Sequence, residues 1–306
     1  MIFQEELKKR ILILDGGMGT CIQSYGLQYD GNNDMLPLTH PEIIEEIHKA
    51  YVDAGADIIE TCSFGANAIS QAGYNAQDKV RDMCHAAAKC ARKAADNADR
   101  KVWVAGSMGP TDKSLTIIEM MMDPEETVTR ESMKLAYKEQ AVALIEGGVD
   151  LLLVETVTDA ANAQAALDAI KEAFAECGKE LPIMLSASIM AGSTCLMTGT
   201  PITELFDMAG KYGIASAGIN CSFGATELYE PVKEVAEYVK CAVSVYPNAG
   251  LPTAQGYTEK PEDTAAALMR MAQDGLINIA GGCCGTTPAH IKAIAESLKG
   301  TGTRNY

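Results

Sequence analysis

Apolar residues fall along this chain in short continuous runs that alternate with stretches of helical period. Ile11-Leu12-Ile13-Leu14 ends in Asp15-Gly16-Gly17, the pattern of a strand buried on both faces. A long loop is expected next. Pro41 then opens a segment in which Ile43, Ile44, Ile47, Ala50, Tyr51 and Ala54 recur at helical spacing until Gly55. Asp57 to Thr61 reads as the second strand. Further helices are expected over Gln77 to Asn97, Glu125 to Gly147, Ala160 to Glu176, Ile202 to Lys211, Thr226 to Val239 and Glu262 to Asp274, with a closing helix from Pro288 to Leu298. The strands between them are Val102 to Ser107, Leu151 to Glu155, Ile183 to Ser188, Ile214 to Ile219, Ala242 to Val245 and Leu276 to Ala280. Eight strand-then-helix units result, the count at which a parallel sheet closes into an α/β (β/α)8 TIM barrel. No Gly/Ser-rich linker or compositional break marks a second domain, so a single domain over residues 1–306 is expected. A doubly wound open sheet is the alternative. It usually carries a glycine-rich phosphate loop after its first strand, and Asp15-Gly16-Gly17-Met18-Gly19-Thr20 does not match that fingerprint.

Polar residues collect where these strands end: Asp15, Thr61, Ser107, Glu155, Ser188, Asn220, Asn248 and Cys283. In a barrel those ends share one face, and active sites lie there. The last strand runs into Gly281-Gly282-Cys283-Cys284-Gly285-Thr286-Thr287-Pro288. Adjacent thiols rarely meet disulfide geometry without strain, and flanking glycines let both sulfurs turn toward one metal. Cys221, in Gly218-Ile219-Asn220-Cys221-Ser222-Phe223-Gly224, also follows an apolar run between glycines and is the best third ligand. Three thiolates with one open position describe a catalytic zinc site. A closed structural site with a fourth ligand, or three buried free thiols, are the alternatives.

Composition narrows the function. A net charge of −16 on 306 residues argues against nucleic acid or an anionic membrane surface as partner. Ten cysteines, no secretory pattern at Met1 to Arg10 and no apolar run near membrane-spanning length lead to the expectation of a soluble protein in a reducing cytoplasm. Cys62, Cys84, Cys90, Cys177, Cys195 and Cys241 are expected to be small buried hydrophobes. His40, His48, His85 and His290 are read as surface or cap residues rather than ligands. The charged positions from Lys233 to Lys240 read as a solvated helix face. Thr116-Ile117-Ile118-Glu119-Met120-Met121-Met122 is too apolar for a solvated loop. It is either a short helix capping the barrel, with its methionines filling core gaps, or a docking surface for a partner that arrives and leaves.

These motifs together resemble the homocysteine-binding methyltransferase domain, most closely the amino-terminal module of cobalamin-dependent methionine synthase. The resemblance rests on Leu14-Asp15-Gly16-Gly17-Met18-Gly19-Thr20, Gly109-Pro110-Thr111, Val154-Glu155-Thr156, Gly218-Ile219-Asn220-Cys221, Pro247-Asn248-Ala249-Gly250-Leu251-Pro252 and Gly282-Cys283-Cys284-Gly285-Thr286-Thr287-Pro288. It implies Zn2+ held by Cys221, Cys283 and Cys284, with the homocysteine thiolate in the fourth position. It also implies that Asp15 and Glu155 hold the substrate ammonium and that backbone N–H groups around Gly16 and Gly17 receive its carboxylate. A zwitterion needs acceptors and donors close together, and carboxylates beside a glycine-rich turn supply both. Methionine synthase continues into folate, cobalamin and activation domains, whereas this chain runs to Tyr306. The expected donor is therefore methylcobalamin on a separate corrinoid protein. Alternatives are a small onium compound (S-methylmethionine or betaine), methylation of another thiol, or a non-catalytic homocysteine- and zinc-binding subunit.

Overall fold

The computed structural model of the chain describes residues 2–122, 126–254 and 256–306. Its strands are β1 (Leu12–Ile13), β2 (Ile58–Glu60), β3 (Trp103–Met108), β4 (Leu151–Val157), β5 (Ile183–Ala187), β6 (Ser216–Asn220), β7 (Ala242–Tyr246) and β8 (Ile279–Ala280). All pair in parallel, in the order β1-β8-β7-β6-β5-β4-β3-β2. A parallel bridge between Leu14 and Ile58 joins the two ends of that order. Asp57 reinforces the join: its carboxylate accepts from Ile13 N at 3.0 Å and from both terminal nitrogens of Arg10 at 2.7 and 3.0 Å. The result is a nearly closed α/β TIM barrel formed by one domain.

Alternate strand residues serve two cores, as the two-residue period of a strand requires. Leu12, Leu14, Ile58, Ala105, Leu151, Leu153, Met184, Tyr246 and Ile279 fill the barrel interior. Ile13, Ile59, Val104, Leu152, Val154, Leu185, Ala217, Ile219 and Val243 pack outward against the helices. Both faces being buried, the strands read as unbroken apolar runs. The short helix Phe3–Glu6 belongs to the interior cluster, with the Phe3 ring edge-on to Trp103 at 5.7 Å.

The structure departs from the sequence expectation in several places. The stretch after Gly17 is not simply a loop: it forms helix Met18–Ser24 and two short turns of helix, Asn33–Met35 and Leu36–Thr39. The helix expected from Glu125 starts at Arg130, because Thr129 and Ser132 form a capping box; Glu125 itself lies outside the described residues. Gln77–Lys79 is a 3-10 turn leading into helix Val80–Asp96. Cys62, Cys84 and Cys90 are buried as expected, but Cys177, Cys195 and Cys241 are only half-buried. His290 is a cap residue, pairing with Thr287 at the start of helix Pro288–Leu298. His48 is neither surface nor cap, since it points with Ile44, Ile47 and Tyr51 to the buried face of helix Pro41–Asp53. The methionines of helix Leu115–Met121 do not fill core gaps: Met120, Met121 and the following Met122 are 78%, 71% and 83% exposed. Among the described residues no helix is long and apolar enough to cross a membrane.

Candidate metal and amino-acid site

Cys221 follows the last residue of β6, and Cys283 and Cys284 lie just beyond β8. Their sulfurs all fall within 4.8 Å of one another, with Cys221 and Cys284 3.4 Å apart. Zinc–sulfur bonds of about 2.3 Å at a tetrahedral centre put ligand sulfurs roughly 3.8 Å apart. Three thiols at this spacing, half-buried and reduced, therefore fit a zinc ion, and no histidine or carboxylate joins them as a fourth ligand among the described residues. Charge is already organised toward one another's sulfurs. Cys284 is pushed down to about 3 by hydrogen bonds from Cys221 and Cys283, helped by the Tyr257 hydroxyl. Cys283 is pushed well up by its hydrogen bonds with Cys221 and Cys284 and by burial. At Cys221 the bond from Cys283 lowers the value, but donation to Cys284 and burial outweigh it and leave it at about 12. Hydrogen-bond donation within the cluster thus converges on the Cys284 sulfur.

The loops that carry these thiols are stitched to their neighbours. Cys283 N donates to Pro247 O at 2.7 Å, Ala249 N to Cys284 O at 2.9 Å and Gly282 N to Asp15 O at 3.0 Å. Thr286 Oγ1 donates to Cys283 O and accepts from Gly17 N at 3.1 Å, so one hydroxyl joins the ends of the first and last units. Tyr51 donates its hydroxyl toward Gly17 O and Thr286 O. Two glycines are dictated by crowding. A Cβ on Gly17 would lie 2.7 Å from Cys283 O, and one on Gly285, whose φ is +80°, would lie 2.2 Å from the Tyr257 ring.

Carboxylates share the cavity with the thiols. Asp15 and Glu155 are both buried, and both line a cavity of about 640 Å³ together with Gly16, Gly17, Cys221, Cys283 and Cys284. Burial pushes Glu155 up to about 7, against a hydrogen bond donated by Ser107 and with the Cys284 charge adding to the rise. Burial also raises Asp15 well above the usual carboxylate range, although Glu60 N donates to its Oδ2 at 3.0 Å. Asn220 positions Glu155. Its Nδ2 donates to Glu155 Oε2 at 3.4 Å and to Thr156 Oγ1 at 2.8 Å, while its Oδ1 accepts from Thr156 N at 3.0 Å and from Ser186 Oγ at 2.8 Å. Thr156 and Cys221 flank this clamp with φ of +53° and +48°. A β-branched residue is a real outlier there, and such strain persists only where surrounding contacts hold it.

Among the cavity residues that sequence reasoning missed are Glu60, Asp34 and Tyr257. Glu60 ends the apolar run Ile58-Ile59 as Glu155 ends its own, so the same signal marks it. Asn248 is buried beside the cysteine loop with its Oδ1 unpartnered among the described residues. A separate groove of about 910 Å³ runs over Met190, Phe223, Glu227, Glu230 and Glu234 and contains none of the thiols.

A TIM barrel with converging thiols and carboxylates at the carboxyl ends of its strands belongs to the class of barrel enzymes that work on a small molecule at the barrel mouth. More specifically, residues 12–298 match the family model for homocysteine S-methyltransferase, and the chain belongs to that family. It is a methyltransferase, and homocysteine is the substrate of this family. Among solved structures it is similar to the homocysteine methyltransferase MmuM from Escherichia coli in its metallated form, at 25% identity and a TM-score of 0.75 over 94% of this chain and 96% of that one. The apo form of the same protein matches at 25% identity and 0.70 over 95% and 97%. The oxidised form matches at 24% and 0.75 over 94% and 95%.

Proposed function

We propose that this chain forms methionine by transferring a methyl group to homocysteine at a zinc site made by Cys221, Cys283 and Cys284, with the methyl group delivered by a separate methyl-corrinoid protein. The observation that carries the reading is the meeting of three sulfurs, within 4.8 Å of one another, with buried Asp15 and Glu155 in one cavity. The metallated form of MmuM supports a metal at the cluster. Zinc there would supply the means to keep a thiol as its nucleophilic thiolate at neutral pH. Asp15 and Glu155 hold the ammonium group, and N–H groups around Gly16 and Gly17 take the carboxylate, Gly17's own N–H being shared with Thr286. The amino acid is thereby oriented with its sulfur toward the three cysteines. That sulfur attacks the methyl carbon in line; the new S–C bond forms as the donor's bond to carbon breaks and the donor leaves with the electron pair. Free thiols at the centre suit a reducing cytoplasm.

Exposed Met120, Met121 and Met122, on the segment that follows β3 at the barrel mouth, support a donor carried by a protein. A specific observation favours a second reading, methyl transfer from a small onium donor. The cavity is lined by Asp15, Asp34, Glu60 and Glu155 and by no lysine, arginine or histidine among the described residues, a setting that attracts cations. Incubation of the zinc-loaded protein with homocysteine and, in turn, methylcobalamin, S-methylmethionine and betaine separates the two. Methionine from methylcobalamin is expected; methionine from none of the three leaves a homocysteine- and zinc-binding subunit.

A further inference from the structure

The amino-acid cavity holds more carboxylates than the two that the family resemblance assigns, and their oxygens are not equally committed. Glu155 already accepts from Ser107 on Oε1 and from Asn220 on Oε2. Asp34 accepts from Gly65 N at 3.2 Å and from Gln71 Nε2 at 3.3 Å. Asp15 accepts from Glu60 N on Oδ2, but its Oδ1 is shut off from solvent with no partner among the described residues, in a residue only 2% exposed. Glu60 Oε1 is likewise out of solvent and unpartnered among the described residues. The two orphan oxygens belong to neighbouring strand ends, β1 and β2, that already share the Glu60 N to Asp15 bond, and both residues line the cavity. Buried acceptors left open cost free energy unless a donor completes them. An ammonium group carries three N–H donors and the positive charge that such a cluster lacks.

Resting on the homocysteine reading above, we infer that Glu60 is a substrate-binding residue: with Asp15 it receives the α-ammonium group directly, Glu155 completing the seat as a third acceptor. Glu60 therefore selects for thiols that carry an amino group. The test is calorimetric titration of reduced, zinc-loaded protein with L-homocysteine and with 4-sulfanylbutanoic acid, which has the same chain without the amine. Glu60→Gln keeps size and an acceptor but cannot carry the negative charge that would pair with the ammonium; Glu60→Ala serves if the glutamine variant is not recovered folded. A charge-assisted hydrogen bond predicts that the substitution weakens homocysteine by about 10- to 100-fold while the deamino analogue stays within about twofold or tightens. Equal weakening of both ligands, or unchanged homocysteine binding, overturns the inference. Wild-type protein that binds neither ligand overturns the homocysteine reading itself, and Glu60's role with it.

Discussion

Replacing His48 with leucine probes the helix that braces the site. His48 is 0% exposed on the face of helix Pro41–Asp53 that also presents Tyr51, the residue whose hydroxyl reaches Gly17 O and Thr286 O. Neither ring nitrogen has a hydrogen-bond partner among the described residues. Burial pushes its pKa down from 6.5 to about 3, so the folded protein keeps a neutral imidazole where the unfolded chain takes up a proton. Between those two values the unfolded state binds more protons, and stability falls as pH falls, by about 1.4 kcal/mol per unit. Well above 6.5 this contribution is constant. From about pH 8 to about pH 5 the loss accumulates to about 2 kcal/mol. His48→Leu lacks the titrating group, and at the higher pH it also removes a buried, unsatisfied N–H, so it should be at least as stable as wild type there. Urea unfolding of both proteins at the two pH values, reduced and zinc-loaded, gives the comparison, because acid loss of metal affects both alike. Wild type should lose about 2 kcal/mol more than the variant. Parallel losses would refute the reasoning, since they would mean that His48 is protonated or solvated in the folded state.

Two further variants follow from the geometry. Asn220→Ala removes four hydrogen bonds of a buried amide that spans Glu155, Thr156 and Ser186, and should lower unfolding stability by about 2–4 kcal/mol; a loss below about 1 kcal/mol means that the clamp does not hold the strained Thr156 turn. Exchanging Met120, Met121 and Met122 for polar residues should leave stability unchanged, these side chains being exposed, and should slow turnover with a methyl-corrinoid protein at least about tenfold if they dock it. Unchanged turnover would remove that role.

Much of this arrangement is legible in the sequence because parallel barrel strands bury both faces. Leu151 to Val154 has no polar break to confuse it with an amphipathic helix, and the count of such runs specifies the architecture. The thiols are legible for a different reason, since Cys283 and Cys284 between glycines make poor core residues. What stayed hidden depends on tertiary context. Helix Met18–Ser24 begins at Gly17 with no side-chain cap, so its start carries no local signal. The burial of His48 was available from periodicity, as it shares helical spacing with Ile44 and Tyr51, but its polarity pulled the assignment to the surface. Glu60 carried the same mark as Glu155, a carboxylate closing an apolar strand, yet only the structure brings it beside Asp15. Helical period cannot tell whether Met120 to Met122 face the core or water; that depends on which side of helix Leu115–Met121 the Asp159 hydrogen bonds to Ser114 and Thr116 turn inward.

The most direct measurement is metal content. Protein purified under reducing conditions should hold about one zinc per chain by elemental analysis, and Cys221→Ser, Cys283→Ser or Cys284→Ser should each lose it together with methionine formation. Wild-type protein that carries no metal while all three thiols remain reduced, or serine variants that still make methionine, would contradict the account.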